Sequence, residues 1–204
     1  MRKFLKRMTG IFLCVAMAAG VYGAIPAYAE GTDTGTDIQA QAAQWPTGPA
    51  VQAASAIIMD ASTGTVLYEK DADTPRYPAS ITKIMTTLLA LENCNLDEMV
   101  HFSATAVYEN EGGTSHIARD LDEEMTLEQC LYGIMLESAN ECSYAVAEHV
   151  GGGDYQKFID MMNAKAAELG CTNTHFNNCN GLPDPAHVVS ARDMALISRE
   201  AIKN

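Results

Sequence analysis

The stretch Pro78-Ala79-Ser80-Ile81-Thr82-Lys83-Ile84-Met85-Thr86 decides how this chain is interpreted, because it places a lysine three residues after a serine. On a helix, residues three apart lie on one face, one above the other. The Lys83 amine is then within reach of the Ser80 hydroxyl, which is the minimum machinery for a lysine-activated serine nucleophile. Of the nine serines in the chain, only Ser80 has a lysine at this spacing.

The helix predicted from Ser80 to Glu92 is apolar on nearly all sides, which is typical of a helix buried in a core. Burial favours loss of the Lys83 proton, and the neutral amine that results can accept a proton from a hydroxyl. Ser80, in the first turn, is expected to face the positive end of the helix dipole, which favours a developing oxyanion. The alternative is a solvated lysine that happens to follow a serine, and the apolar neighbours of Lys83 argue against it.

A second motif, Ser138-Ala139-Asn140, follows further along the chain and is predicted to lie between two helices. The first helix begins at the capping box Thr126-Leu127-Glu128-Gln129, and the second ends at Gly151-Gly152-Gly153. Ser and Asn between two helices are also common as simple caps. The combination with Ser80 favours the functional interpretation. Glu137 and Glu141 flank the motif and are a candidate acid pair, but both are expected to be solvated and neither is given a role.

The remaining elements are a β-hairpin near the start and two further helices. Apolar runs at 54–60 and 66–69 around the turn 61–65 predict the hairpin. Amphipathic helices are predicted over 155–169, ended by Gly170, and over 191–202, with Ser190 as N-cap.

Residues 1–29 have four basic residues, an apolar run from Ile11 to Ile25 and the small residues of Ala27-Tyr28-Ala29. These are the features of a signal peptide. An uncleaved anchor is the alternative, but the run is shorter than the ~20 residues needed to span a bilayer. Residues 30–44 have no apolar periodicity and are predicted to be a flexible linker. We therefore expect export and a domain from residue 45 to residue 204.

Charge and cysteine content exclude some functions. Removal of the leader, with four of the 13 basic residues, leaves nine basic against 26 acidic residues, a net charge of −17. Such a charge argues against binding to nucleic acid. Five cysteines remain after cleavage, an odd number that makes no complete disulfide framework, and their spacing indicates no zinc site. Most are expected to be buried thiols, and a Cys171–Cys179 disulfide stays open.

Taken together, the motifs resemble those of the serine D-alanyl-D-alanine carboxypeptidases, the low-molecular-weight penicillin-binding proteins of bacterial wall metabolism. The first motif and Ser138-Ala139-Asn140-Glu141 carry the resemblance, and two later segments, Asn178–Pro183 and Ser190–Ala195, favour this family over β-lactamases. The resemblance implies an α+β fold of the β-lactamase/transpeptidase type, with a helical subdomain and an antiparallel sheet that is incomplete within residues 45–204.

The same resemblance implies the site and its substrate. Ser80 is the expected nucleophile, Lys83 its general base, Ser138 a proton relay and Asn140 the residue that holds Lys83 and the substrate amide. No cofactor or metal is expected. The substrate is a peptidoglycan stem peptide that ends in D-Ala-D-Ala, and β-lactams are expected to acylate the same serine. The implied location is the cell wall or the outer face of the cytoplasmic membrane, with attachment through a segment beyond Asn204 left open.

Two departures from the family pattern qualify these expectations. Ala139 stands where the family usually has Gly, a change that a loop should tolerate. The family's third motif, Lys-Thr/Ser-Gly, does not occur in this sequence. We therefore expect a fragment of a longer reading frame that is inactive alone, since half of the oxyanion hole normally comes from that strand. The alternatives are a serine β-lactamase or transpeptidase of the same fold, and a truncated domain that binds wall peptide without turnover.

Overall fold

The order of secondary-structure elements follows the sequence-based expectation, with two additional short strands and one additional short helix. The structure, a computed structural model, describes residues 48–109 and 113–204, so the predicted signal peptide and linker lie outside the described residues. The elements are, in chain order, β1 (Ala56–Met59), β2 (Val66–Lys70), a 3-10 turn (Ala79–Thr82), α1 (Lys83–Asn93), β3 (Met99–His101), α2 (Ala104–Tyr108), β4 (Glu124–Thr126), α3 (Leu127–Glu137), α4 (Asn140–Gly151), α5 (Tyr155–Glu168) and α6 (Ala191–Ala201).

The predicted hairpin is confirmed: β1 and β2 pair antiparallel, with Ala56 opposite Lys70. The Asp60 carboxylate organises the turn, because it accepts hydrogen bonds from the Ser62 hydroxyl and the Thr63 backbone N–H. These bonds lower the pKa of Asp60 to about 2. β3 and β4 form a second antiparallel pair that the sequence did not indicate. Each has only three residues, too few to show alternation of apolar and polar side chains.

Three of the predicted helix starts and stops are confirmed by the caps. Thr126 and Gln129 form the reciprocal capping box that begins α3. The Ser190 side chain accepts from the Asp193 N–H at the start of α6. Helix α4 ends at Gly151, and its C-cap residue Gly152 has a left-handed φ of 71°. That conformation suits a residue without a Cβ. The prediction for Ser80 was wrong in one respect: it lies in the 3-10 turn, and α1 begins only at Lys83.

Helix α1 lies between two hydrophobic clusters and contributes to both. One cluster joins it to α5 and α6 through a group of fully or nearly buried side chains that includes Met85, Leu88, Leu89, Phe158, Met162, Phe176 and Ile197. The other joins its C-terminal half to β3, α2, α3 and α4 through Ala90, Val100, Phe102, Leu127, Ile134 and Val146. The Ser80–Lys83 segment therefore sits at the head of the central helix, on a rigid support.

Helix α6 holds the hairpin in place through two arginines. Arg192 forms ion pairs with Glu69 at 2.5 Å and Asp73 at 2.6 Å, and the bonds to these carboxylates raise its pKa. Arg199 donates to the carbonyl oxygens of Ala61 and Ser62 in the hairpin turn. Strands and helices thus form one α+β assembly, as expected.

Two further expectations concern the cysteines and the membrane. The five cysteines in the described part of the chain all carry free thiols, so Cys171 and Cys179 are not bonded to each other. Burial raises the pKa of each of these two thiols to about 12. Within residues 48–109 and 113–204, the structure has no helix with the length and apolar character that crossing a membrane requires.

Candidate active site

Ser80 is exposed at the end of an unusual turn of backbone. The residue before it, Ala79, has a left-handed φ of 51°. Such a φ is uncommon for a residue with a Cβ. Gly181 packs directly against this turn: a Cβ added to Gly181 would lie 1.9 Å from the Ala79 carbonyl oxygen. The close approach of two backbones therefore fixes the turn and leaves the Ser80 hydroxyl accessible to solvent.

The Lys83 side chain passes into the protein and ends among four oxygen atoms. Its Nζ lies 2.7 Å from Asn140 Oδ1, 2.9 Å from the Asn180 carbonyl oxygen, 3.2 Å from Ser138 Oγ and 3.4 Å from Ser80 Oγ. Only 2% of Lys83 is exposed, as its apolar neighbours predicted. Burial lowers its pKa from 10.5 to about 8, with the Glu141 carboxylate acting in the opposite direction.

The number of donors on Lys83 determines how the four contacts are used. A neutral amine has two N–H bonds and one lone pair. The two shortest contacts, to Asn140 and Asn180, take both N–H bonds. The lone pair is then left for a serine hydroxyl, so that Ser80 or Ser138 donates its O–H to Lys83. This is the arrangement that a general base needs before it removes a proton.

The Ser138 and Asn140 side chains of the second motif lie beside the same Lys83 amine. Ser138, the C-cap residue that follows α3, has a left-handed φ of 57°, and its Oγ lies 2.9 Å from Ser80 Oγ. Asn140 is the first residue of α4, which has no side-chain N-cap. Neither side chain is engaged in capping a helix. The four predicted residues, Ser80, Lys83, Ser138 and Asn140, therefore form one connected hydrogen-bond network.

Sequence reasoning missed the part played by Asn180, which contacts Lys83 through its backbone carbonyl. The loop that carries it is anchored to α1, because the Thr86 hydroxyl donates to the Cys179 carbonyl at 2.6 Å. The Asn178 side chain closes the turn by accepting from the Gly181 N–H at 2.7 Å. In the sequence, the segment Asn178–Pro183 was noted only because it resembles a segment of the family, and that resemblance did not indicate the contact between Asn180 and Lys83.

The expectation that Glu141 is solvated was wrong, whereas Glu137 is exposed as expected. Only 3% of Glu141 is exposed, and its Oε1 accepts from the Ile117 N–H at 2.6 Å. The carboxylate thus ties the segment that follows residues 110–112 to the start of α4. Nothing in the local sequence showed this burial, since the covering segment lies 24 residues away.

One group of side chains has the chemistry of metal ligands, although the sequence spacing did not indicate it. Cys94, Glu98 and His149 bring a thiol, a carboxylate and an imidazole within 4.8 Å of one another. Hydrogen bonds account for the arrangement, because His149 Nε2 lies 2.8 Å from Glu98 and the Asn95 backbone N–H donates to the same carboxylate. This group shares no residue with the network around Lys83.

A cavity of about 310 Å³ opens beside Ser80. It borders Ala79, the residue before Ser80, and the loop that contains Gly181 and His187. Its lining is largely apolar and is formed by Tyr77, Pro78, Ala79, Gly181, Leu182, Pro183, Asp184, Pro185 and His187. Ser80 therefore lies next to a concave, largely apolar surface, the kind of surface at which small ligands bind.

Comparison with known proteins identifies relatives in sequence and in structure. The D-alanyl-D-alanine carboxypeptidase DacF of Bacillus subtilis is 39% identical over 154 residues, which are 74% of this chain and 39% of that protein. A D-alanyl-D-alanine carboxypeptidase of Streptomyces sp. strain K15 is 35% identical over 198 residues, 92% of this chain and 62% of that protein. The chain thus spans about two fifths to three fifths of the length of these relatives.

Solved structures show the same fold. The D-alanyl-D-alanine carboxypeptidase DacD of Francisella tularensis superimposes with a TM-score of 0.72 at 35% identity, over 78% of this chain and 39% of that one. The Streptomyces K15 DD-transpeptidase superimposes with a TM-score of 0.71, also at 35% identity, over 78% of this chain and 63% of that one. The expected DD-peptidase type of fold is confirmed.

The family of the chain is identified by a sequence match that covers most of its residues. Residues 39–204 match the peptidase S11 family, described as D-alanyl-D-alanine carboxypeptidase. This range contains both motifs, the hairpin and helices α1 to α6. The chain therefore belongs to the peptidase S11 family of D-alanyl-D-alanine carboxypeptidases.

Proposed function

We propose that this protein is a serine D-alanyl-D-alanine carboxypeptidase that removes the terminal D-Ala from peptidoglycan stem peptides. The observation that carries the proposal is the buried Lys83 amine. Its Nζ lies 3.4 Å from the hydroxyl oxygen of the exposed Ser80 and contacts two acceptor oxygens, those of Asn140 and Asn180. Family membership supports the choice of substrate.

The reaction begins with acylation. Ser80 Oγ attacks the carbonyl carbon between the two terminal D-alanines, and its proton passes to the lone pair of Lys83. The Ser80 backbone N–H stabilises the oxyanion as one of its two donors. Collapse of the tetrahedral intermediate breaks the peptide bond and forms an ester on Ser80. The leaving D-Ala amine must gain one proton.

Ser138 is placed to deliver that proton. Its Oγ lies within hydrogen-bonding distance of both Lys83 Nζ, at 3.2 Å, and Ser80 Oγ, at 2.9 Å. The Lys83 ammonium gives a proton to Ser138, which passes its own to the departing amine. Asn140 holds the amine in position throughout. Water then attacks the ester carbon and loses a proton to Lys83. The bond to Ser80 Oγ breaks, Lys83 returns its proton to that oxygen, and the shortened peptide leaves.

The proposed setting follows from the substrate and from the N-terminal sequence. Stem peptides lie outside the cytoplasm, so we propose export by the signal peptide at 1–29, followed by the linker at 30–44 and the catalytic domain from residue 45. β-Lactams acylate Ser80 as substrate mimics. The net charge of −17 that remains without the leader fits a protein that works away from nucleic acid.

Labelling with a fluorescent penicillin tests the nucleophile. The protein expressed from its complete gene should become covalently labelled, and Ser80→Ala should abolish the label. Ser198→Ala, a matched serine change on α6, should label like the wild type. Label that persists in Ser80→Ala contradicts the assignment of the nucleophile. Release of free D-Ala from a peptide ending in D-Ala-D-Ala then separates turnover from binding alone.

A second candidate function is transpeptidation, favoured by the structural likeness to the Streptomyces K15 DD-transpeptidase. The acyl-enzyme would then pass its peptide to an amine in place of water. The same assay with added glycine or D-amino acid discriminates the two. A carboxypeptidase gives mainly the shortened peptide, whereas a transpeptidase gives mainly the peptide joined to the added amine.

A further inference from the structure

His187 lies buried beside the proposed catalytic residues, although the mechanism above gives it no part. Only 1% of it is exposed. Its Nε2 lies 2.8 Å from the Thr82 hydroxyl oxygen. On the other side of the ring, Nδ1 accepts from the backbone N–H groups of Asn177 at 3.0 Å and Asn178 at 3.3 Å. All polar atoms of the imidazole are therefore engaged.

These contacts determine the protonation state of the ring. Nδ1 faces two N–H donors, so it must be the acceptor nitrogen, and the single proton of a neutral imidazole lies on Nε2. Nε2–H therefore donates to Thr82. Burial lowers the pKa of His187 to about 4, with Asp184 acting in the opposite direction and the exposed His175 in the same direction. The ring stays neutral at physiological pH.

Each nitrogen of the imidazole is hydrogen-bonded to a segment that helps to place the Lys83 amine. Thr82 directly precedes Lys83 in the chain. Asn178 begins the turn whose side-chain bond to Gly181 presents the Asn180 carbonyl to Lys83 Nζ at 2.9 Å. The lysine and one of its two closest acceptors therefore come from segments that His187 joins.

We infer that His187 is a positioning residue for Lys83, whose neutral imidazole joins the Ser80–Lys83 turn to the Asn177–Gly181 loop. The inference rests on the proposed function, since it concerns how the base is oriented. Without the imidazole, the N–H groups of Asn177 and Asn178 lose their acceptor, and the Thr82 hydroxyl oxygen loses its donor. Misplacement of a catalytic group by about 1 Å costs on the order of 100-fold in rate.

A purely structural role for His187 is the alternative, since its ring also packs 5.6 Å from that of Phe176. The two roles predict different measurements. A packing residue affects the fraction of folded protein and its melting temperature. A positioning residue affects mainly the first-order rate constant for acylation of the folded protein. This effect should exceed any change in penicillin affinity caused by loss of a side chain that lines the cavity.

The experiment measures acylation of the complete protein by a fluorescent penicillin, with concentration varied to separate the rate constant from the binding constant. The variants are His187→Ala, His187→Asn, Thr82→Val and, as control, His175→Ala. We expect His187→Ala to slow acylation about 10- to 100-fold. His187→Asn, whose side-chain oxygen can replace Nδ1, should recover part of the rate. Thr82→Val should be slowed in the same sense, and His175→Ala should match the wild type.

The outcomes separate this inference from the proposed function. Wild-type protein that takes no label contradicts the proposed function itself. Wild-type protein that labels, with folded His187→Ala acylated at the same rate, overturns the positioning role alone. If the His187 variants do not fold, Thr82→Val decides: slowed acylation at unchanged melting temperature supports the inference, and an unchanged rate overturns it.

Discussion

The Nζ of Lys83 lies closer to the side-chain oxygen of Asn140, at 2.7 Å, than to either serine hydroxyl of the network. This contact sets the orientation of the amine, because it fixes one N–H while the Asn180 carbonyl fixes another. A base held by its N–H bonds keeps its lone pair in a defined direction. The predictions below follow from that arrangement and from the burial that accompanies it.

Acylation should follow the protonation of Lys83. Below its pKa of about 8 the amine is an ammonium without a lone pair, so it cannot accept the Ser80 proton. The rate of penicillin acylation should therefore rise with pH, reach half its maximum near pH 8 and level off above that. Well below pH 8 it should fall about tenfold per pH unit. A rate independent of pH between 6 and 9 would contradict Lys83 as the base.

Stability should also depend on pH through Lys83. Its pKa is lower in the folded protein, about 8, than the ordinary 10.5, so the unfolded chain binds more protons between these values. The burial cost of the ammonium, about 3 kcal/mol, is complete below pH 8 and disappears as pH rises towards 10.5. In denaturant titrations, the free energy of unfolding of the wild type should therefore increase relative to that of Lys83→Met as the pH rises from 8 to 10.5. A constant difference would show that the lysine pKa is not lowered.

Asn140→Asp should impair catalysis mainly through charge. Asn140 Oδ1 lies 2.7 Å from Lys83 Nζ. A carboxylate in that position stabilises the ammonium and raises the Lys83 pKa, so we expect acylation at pH 7 to fall about 10- to 100-fold, with much of the loss recovered at pH 10. Asn140→Ala is the control, because it removes the contact without adding charge. Its loss should persist at high pH, and equal recovery of both variants would contradict the electrostatic explanation.

Glu141→Gln should act in the opposite direction. The buried carboxylate raises the Lys83 pKa, so its neutralisation should move the pH profile of acylation to lower pH. A glutamine oxygen can still accept from the Ile117 N–H, which preserves the local fold. At pH 7 we expect a gain of about two- to fivefold in acylation rate. Glu137→Gln, an exposed change on the other side of the motif, should leave the profile unchanged, and a shift of equal size there would contradict this prediction.

Gly181→Ala should disrupt the nucleophile turn. The new Cβ would meet the Ala79 backbone, and Gly181 has a φ of 86°, which already disfavours a residue with a side chain. Gly170→Ala is a matched control, because Gly170 has a φ of 81° and no atom within 4 Å of the added Cβ. We expect the control to cost about 1 to 2 kcal/mol of stability, the cost of a left-handed conformation for a residue with a Cβ, and to acylate normally. Gly181→Ala should cost more and lose most of its acylation, and equal behaviour of the two would contradict the close packing.

Local patterns in the sequence were sufficient for much of the fold. The hairpin and the caps at Thr126 and Ser190 depend on short-range chemistry, and each is found where it was predicted. Three-residue strands have no such pattern. The 3-10 turn at Ser80 was also missed, because it depends on the approach of Gly181, which comes much later in the chain.

The same distinction applies to the site. Side chains with characteristic spacing, such as Ser80 and Lys83, were predictable, and the structure places them together. The Asn180 contact is made by a carbonyl group, which every residue has, so no residue type could indicate it. Glu141 was misjudged for a related reason: its burial is caused by a distant segment that includes Ile117. Partners supplied by the backbone or by remote segments require the folded structure.

The sources of the Lys83 contacts also have a consequence for folding. Asn140 and Asn180 lie 57 and 97 residues away from it along the chain, so the site combines three segments that helix formation alone cannot bring together. Non-local contacts of this kind form late, since the entropy of closing long loops must be overcome first. During refolding, helical signal should therefore return before the protein can react with penicillin. The rate at which penicillin reactivity returns should therefore report when the three segments that surround Lys83 come together.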